Sequence, residues 1–101
     1  MSKKTLFGIL DAAAGCYRSI FPALSVGEAT RGLADLANNP DTDVGRHPQD
    51  FSLYRLGEWD DSDGSVVGLK RPEIVIQAAA LRLAPVVQQP VVQQYETPIS
   101  Q

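Results

Sequence analysis

One histidine and the carboxylates around it are the first residues of this sequence that could do chemistry. His47 precedes Pro48 in a turn-rich stretch, and Asp43 and Asp50 lie four and three residues away. A histidine and a carboxylate can act as general acid and base, but no serine or cysteine has a context that indicates an activated nucleophile. We therefore interpret His47 as a turn histidine and expect that the protein is not an enzyme.

A run of acidic residues at 60–64, Asp-Asp-Ser-Asp-Gly, has the composition of a calcium loop. With Gly64 at the sixth position of such a loop, Trp59 would take the first ligand position, and Lys70 would stand where a bidentate glutamate is required. One cysteine and one histidine are too few for a closed zinc site. We expect no metal and no cofactor, and we interpret the run as a hairpin turn.

Aromatic rings interleaved with cations are a third candidate chemistry, because bases of single-stranded nucleic acid stack on rings while Lys and Arg contact phosphates. The candidate residues for such contacts are Lys3, Lys4, Arg18, Tyr54, Arg55, Trp59, Lys70, Arg71 and Arg82. On strict alternation along a strand at 51–59, Trp59 shares a face with Arg55, and Tyr54 lies on the other face. Spacing alone favours a core position for most of these aromatic residues.

The net charge is −3, from nine Lys and Arg against twelve Asp and Glu, and the pI is near 4.9. Such a balance excludes a protein whose whole surface is basic. The acidity lies in residues 41–63, which have two basic and seven acidic side chains and a net charge of −5. A DNA-binding protein with this pattern would turn that span away from the DNA. Six cations outside the span would gather on the opposite surface: Lys3, Lys4, Arg18, Lys70, Arg71 and Arg82.

The length of 101 residues is that of one small domain. We place this domain at residues 1–84 and predict an extended or disordered tail at 85–101, where the sequence Pro-Val-Val-Gln-Gln occurs twice. The single Cys16 cannot form an internal disulfide, which favours a reducing compartment. No apolar run approaches the roughly 20 residues that cross a bilayer, so we expect no contact with membranes.

Hydrophobic periodicity predicts the elements that position these residues. Strands are predicted at 5–10, with two apolar faces typical of a central strand, at 17–24, with an edge position imposed by Pro22, and at 51–59. The turn at 60–64 leads from the third strand into residues 65–69 as a hairpin. Residues 73–78 are predicted to be extended, but periodicity leaves open a helix that continues to Arg82.

A helix is predicted between Ser25 and Asn38. Ser25 and Glu28 form a capping box, and an apolar stripe follows at helical spacing. The sequence Asn38-Asn39-Pro40 ends the helix, with an asparagine in the left-handed conformation. Together the elements predict an α+β domain: a small antiparallel sheet of four to five strands with one principal helix, followed by the extended tail.

Several motifs in the middle of the chain resemble those of one small family. They are Asn38-Asn39-Pro40, the segment 47–57 (HPQDFSLYRLG), Asp60-Asp61 and Gly64. Over about residues 3–70 the sequence resembles the nonstructural DNA-binding protein of gokushoviruses, small single-stranded-DNA phages of the Microviridae. Within that resemblance, the His-Pro-x-Asp-Phe motif at 47–51 is interpreted as a structural corner that starts a buried strand.

The resemblance implies an early, nonstructural protein that binds single-stranded DNA and acts in genome replication or in the switch to single-strand synthesis. It would work in the cytoplasm of the bacterial host and not in the mature virion. Few cations favour a homodimer or a higher oligomer, with the tail adding a strand to a neighbour. The alternatives are an acidic adaptor that binds a phage or host replication or packaging protein with little DNA contact, and a minor scaffold or capsid-associated component.

Overall fold

A computed structural model describes residues 3–83 of the chain. Four antiparallel strands form one sheet in the order β2-β1-β3-β4. The strands are β1 (Lys3–Asp11), β2 (Cys16–Ala23), β3 (Phe51–Asp60) and β4 (Val66–Gln77), and one principal helix, α1 (Val26–Ala37), packs on the sheet. The predicted α+β class is confirmed, as are the central position of β1 and the edge position of β2. The repeat at 85–94 lies outside the described residues.

The hydrophobic core lies between α1 and one face of the sheet. Phe7, Leu33 and Leu53 are fully buried there, and each such side chain stabilises the fold by roughly 1.5–3 kcal/mol. The apolar stripe of α1 consists of Ala29, Leu33, Leu36 and Ala37. The two alanines and Leu33 are buried, and Leu36 is half-buried. Alanines let the helix axis approach the strands closely, so a single helix fills the space over the core strands.

Both ends of α1 are fixed by side chains. The Ser25 Oγ accepts a hydrogen bond from the Glu28 amide at 3.1 Å, and Glu28 Oε1 accepts one from the Leu24 amide at 2.7 Å, one residue before the cap. At the other end, the C-cap Asn38 has φ −100°, so this asparagine is not in the left-handed conformation. Its amide instead donates to the carbonyls of Ala34 and Leu81, which ties the helix end to the segment after β4.

Two short helical turns connect α1 to β3. The segment predicted as turns contains α2 (Asp43–Arg46), whose N-cap Thr42 accepts a hydrogen bond from the Gly45 amide at 2.9 Å. A 3₁₀ turn at Pro48–Asp50 follows, with Pro48 buried, and β3 starts at the buried Phe51. This is the corner inferred for the motif at 47–51. β4 stays extended to Gln77, and a 3₁₀ turn at Ala78–Leu81 follows, so this segment does not form the helix that periodicity left open.

An extra residue in β3 changes which side chains face α1. Phe7 pairs with Arg55, but Leu6 pairs with Gly57, so Leu56 is bulged out of the ladder. Since directly opposed residues share a face, β3 side chains after the bulge swap sides. Gly57 is required here, because a Cβ would clash with the Val67 carbonyl of β4.

No helix within residues 3–83 is long and apolar enough to cross a membrane. The same residues contain no group of three or more His, Cys, Asp and Glu side chains that could hold a metal ion.

The β1–β2 turn is organised by Asp11, a carboxylate that is only 6% exposed. Its Oδ1 accepts hydrogen bonds from the amides of Ala13 and Ala14 at 3.0 and 3.2 Å, and its Oδ2 accepts one from the Arg18 guanidinium at 2.9 Å. Arg18 also reaches Asp43 at 3.6 Å, so the network joins the hairpin to α2. Asp11 thus holds both the backbone of the turn and the guanidinium of Arg18.

Replacing this acid should destabilise the fold. We expect Asp11→Ala to lower the free energy of unfolding by about 2–3 kcal/mol, because it removes charge-assisted hydrogen bonds and leaves two amides without an acceptor. The matched control is the exposed Asp41→Ala, which should stay within about 0.5 kcal/mol of the parent protein. Urea unfolding followed by circular dichroism measures both, and equal midpoints for the two variants would contradict the role given to Asp11.

Candidate functional site

The sheet face opposite α1 carries a continuous apolar surface that no described element covers. Strand pairing assigns its side chains. Leu6, Gly8 and Leu10 of β1 point away from α1, and the residues of β2 and β3 that pair with them share their face. We call this surface the open face. Its side chains are those of Lys4, Leu6, Leu10, Tyr17, Ile20, Tyr54, Leu56, Trp59, Val66 and Ile74. Ile20, Val66 and Ile74 are each about three-fifths exposed, so an apolar surface of this extent is a binding-site candidate.

Two tyrosines stand together on the open face, towards the end where β2 and β3 begin. The rings of Tyr17 and Tyr54 meet edge to face with centroids 5.6 Å apart. Gly8 lies between them, and a Cβ there would be 3.2 Å from Tyr17 Cδ2 and 2.7 Å from Leu56 Cδ1. Partial desolvation, and secondarily the neighbouring Tyr54, raises the pKa of Tyr17 above its ordinary value. Both rings are half-buried, so each leaves part of its surface accessible to a ligand.

A third ring, Trp59, lies at the end of the open face where β1 begins. Lys4 Nζ is 5.5 Å from the centroid of the indole, a cation–π distance. The same ammonium group donates to Asp61 Oδ2 at 2.7 Å. Trp59 pairs with Lys4 and Tyr54 pairs with Gly8, four residues along β1, so the two aromatic groups are about 13 Å apart.

The acidic turn between β3 and β4, residues 60–64, borders this end of the face. Hydrogen bonds from the Ser62 hydroxyl and amide lower the pKa of Asp60, and those from Ser65 lower the pKa of Asp63. Gly64 has φ +80°, the left-handed conformation that closes such a turn at no steric cost. The carboxylates therefore stay charged to lower pH than ordinary aspartates and give the turn a fixed negative potential.

The candidate residues from the sequence fall into three groups. Lys4, Tyr54 and Trp59 come together on the open face, with Lys3 at the start of the same strand. Exposed Lys70 and Arg71 lie in β4 within the segment 69–72, which is out of register with β3.

Three other candidates lie on the helix side of the sheet. Arg18 binds Asp11 and Asp43, Arg55 binds Glu73 at 2.9 Å, and Arg82 reaches the Gly45 carbonyl of α2 at 3.4 Å. The strict alternation that put Trp59 beside Arg55 is wrong, because the bulge at Leu56 separates their faces. The core position favoured for most of the aromatic residues is wrong for Tyr54 and Trp59, because both are half-buried and lie on the open face.

The predicted separation of charge into an acidic face and a basic face is also wrong. The span 41–63 is divided between the α2 region and the β3–β4 turn, and its acids pair with the cations expected opposite them. Asp61 binds Lys4, and Asp43 binds Arg18. The six cations therefore do not converge on one surface.

Tyr17, the partner of Tyr54 in the aromatic pair, is not among the candidate residues from the sequence. The sequence does contain a signal for it. If β1 is central, side chains of the second and third strands meet across β1, and Gly8, which has no side chain, leaves room there for two rings. The sequence does not reveal the pairing register of β2 with β1. This register shifts between Ile9, which pairs with Ser19, and Leu10, which pairs with Tyr17.

Comparison with known proteins places this fold in a family. The sequence model of the family described as "Phage ORF5 protein" matches residues 4–81, which contain α1, α2 and all of the four strands except Lys3. No curated protein and no solved structure is significantly similar to the chain. Because the matched segment spans more than half of the 101 residues, the chain belongs to the Phage ORF5 protein family.

Proposed function

We propose that this phage protein binds single-stranded DNA without catalysing a reaction, and that it does so through the open face. The observation that carries the proposal is the set of Tyr17, Tyr54 and Trp59 on one uncovered sheet face, with Lys4 beside the indole. A four-stranded sheet that presents aromatic rings on its free face is a known way to bind unpaired bases. In a small single-stranded-DNA phage of the Microviridae type, the activity would serve genome replication or the switch to single-strand synthesis in the host cytoplasm.

Stacking supplies the attraction in this proposal. Every base has a π-face, so rings bind single strands with little sequence preference, and each base contributes about 1–3 kcal/mol. The Tyr17–Tyr54 pair and Trp59 are separate platforms about 13 Å apart. The apolar side chains between them exclude water from a bound strand. Paired bases of a duplex cannot stack on the rings, so the site favours single strands.

Electrostatics make the binding modest and sensitive to salt. Lys4 lies on the open face, Lys3 precedes it in β1, and Lys70 and Arg71 are exposed in the segment of β4 that is out of register with β3. Four phosphate contacts by a single strand correspond to a slope of about −3 in a plot of log affinity against log salt concentration. The acidic turn opposes this attraction, since Asp61 holds Lys4 at 2.7 Å.

An acidic adaptor remains the second candidate function, favoured by the β3–β4 turn with its fixed carboxylates. Such a turn suits a basic surface of a replication or packaging protein. The two proposals are separated by one measurement, the anisotropy of a labelled oligonucleotide at low salt. Lack of binding to single strands would refute the first proposal and leave the adaptor.

Removing a ring should weaken binding in proportion to lost stacking. We expect Tyr54→Ala and Trp59→Ala each to raise the dissociation constant for a labelled oligothymidine about 5- to 100-fold, whereas Tyr54→Phe, which keeps the ring, stays close to the parent protein. Val67→Ala is the matched control, because Val67 is exposed but pairs with Glu58 on the opposite face. Anisotropy titrations measure the constants. If Val67→Ala loses as much affinity as Trp59→Ala, the open face is not the DNA site.

Releasing Lys4 from its ion pair should strengthen binding. Asp61→Asn frees the ammonium group for a phosphate, so we expect tighter binding by about 3- to 10-fold and a salt slope steeper by about 0.7. Asp41→Asn changes the net charge equally but lies near α2, away from the open face, and should change affinity by less than about 2-fold. Equal gains for the two variants would show that only net charge matters and that Lys4 makes no specific contact.

A further inference from the structure

The outer edge of β2 borders an apolar groove that the described residues leave unfilled. The groove runs between this edge strand and α1 and has a volume of about 470 Å³. Its walls are Ile9, Phe21, Leu33 and Leu36, with Gly32 and Ser19 between them. A side chain at Gly32 would meet no atom within 4 Å, so the helix presents bare backbone to the groove. A single helix is too narrow to cover the sheet out to β2.

More apolar side chains are exposed at this edge of the sheet. Ile20, which also lines the groove, is 65% exposed, and Leu24 and Val26, in the connection from β2 to the start of α1, are 72% and 48% exposed. Large aliphatic side chains clustered at one edge indicate a surface that another molecule covers. The other edge of the sheet has the features that prevent association, because β4 carries Lys70, Arg71 and Pro72 in a segment out of register with β3.

We propose that a second copy of this chain covers the groove. The two copies meet about a two-fold axis perpendicular to the sheet, with their β2 edges adjacent and their α1 helices antiparallel. Pro22 lacks an amide donor and Arg18 is bulged, so continuous backbone pairing between the two β2 strands is not available. The contact is therefore made by side chains, with Phe21, Leu36 and their symmetry equivalents filling the two grooves.

The charges beside Gly32 suit a self-complementary contact. Arg31 and Asp35 are exposed on either side of Gly32 along α1, and neither takes part in an ion pair within residues 3–83. In the antiparallel arrangement, with the two-fold axis at the level of Leu33, Arg31 of each copy lies at the same height along the helix as Asp35 of the other. The same surface thus carries both signs of charge at positions that a two-fold axis brings together, as an isologous interface requires.

The size of the contact predicts its strength. The eight residues of β2 span about 26 Å, and the sheet and helix layers together are about 20 Å thick, which gives a cross-section of roughly 500 Å². Stable complexes bury about 800 Å² per partner. We therefore expect a weak dimer, with a dissociation constant in the micromolar range. The proposal does not depend on DNA binding, and its test contains no nucleic acid.

The test is the mass of the full chain in solution as a function of concentration. Sedimentation velocity should show a shift from 10.9 kDa towards twice that mass for the parent protein. Gly32→Gln places a long neutral side chain in the groove and should raise the dimer dissociation constant at least 10-fold. Gly27→Gln is the matched control, because Gly27 is exposed on α1, does not line the groove, and gains the same helix propensity. It should dimerise like the parent protein.

A charge exchange tests the orientation of the helices. Arg31→Asp or Asp35→Arg alone should weaken the dimer about 5-fold, and the double variant should regain the parent affinity, since like charges oppose each other in the single variants only. A monomer at all concentrations, or Gly32→Gln dimerising like the parent protein, overturns the proposal. A dimer that Trp59→Ala abolishes overturns it too, because the open face would then be the interface.

Discussion

The bulge at Leu56 is the constraint on which the two faces of this sheet depend. A lone helix covers only part of one face of four strands, so β3 supplies apolar side chains to α1 at its start and an aromatic side chain to the other face at its end. Before the bulge, Phe51 and Leu53 pack under the helix; after it, Trp59 points away from the helix. In regular alternation the indole would lie on the same face as Arg55, on the helix side of the sheet. Gly57 makes the change of side sterically feasible by letting the backbone of β4 approach.

Charged side chains in this protein form ion pairs with near neighbours, and they are not separated into one acidic and one basic face. Lys4 and Arg18, at opposite ends of the β1–β2 hairpin, each have an aspartate within 4 Å. Exposed charges more than about 10 Å apart are screened at ordinary salt, so these local partners determine what a ligand meets. A net charge of −3 therefore says little about the open face. The contacts of Lys4 with Trp59 and Asp61 decide whether that face attracts a phosphate.

Sequence reasoning succeeded where the determining contacts are local. Ser25 and Glu28 cap a helix within one turn, and the apolar positions of β1 require two covered or associating faces wherever that strand lies. It failed where pairing with another strand determines which face a side chain occupies. No feature of residues 51–59 alone reveals that Leu56 is unpaired, because the bulge exists only relative to β1, and the side taken by Trp59 depends on it. The side taken by Tyr17 depends in the same way on the irregularity of β2 at Arg18. The ion pair of Lys4 with Asp61 joins residues 57 positions apart, so segment charges could not locate it.

One helix on four strands leaves two apolar surfaces, and the geometry allows both to be used together. The open face lies on one side of the sheet, and the groove beside α1 lies at its β2 edge. A two-fold axis perpendicular to the sheet places both open faces of a dimer on the same side, where one strand of DNA could cross from copy to copy. In the proposed dimer, the second copy would bind the same strand at high effective concentration, and two weak sites would give an avidity above that of either. Because the proposed dimer is itself weak, bound DNA and dimer formation would stabilise each other, so a protein with few cations would cover single strands cooperatively.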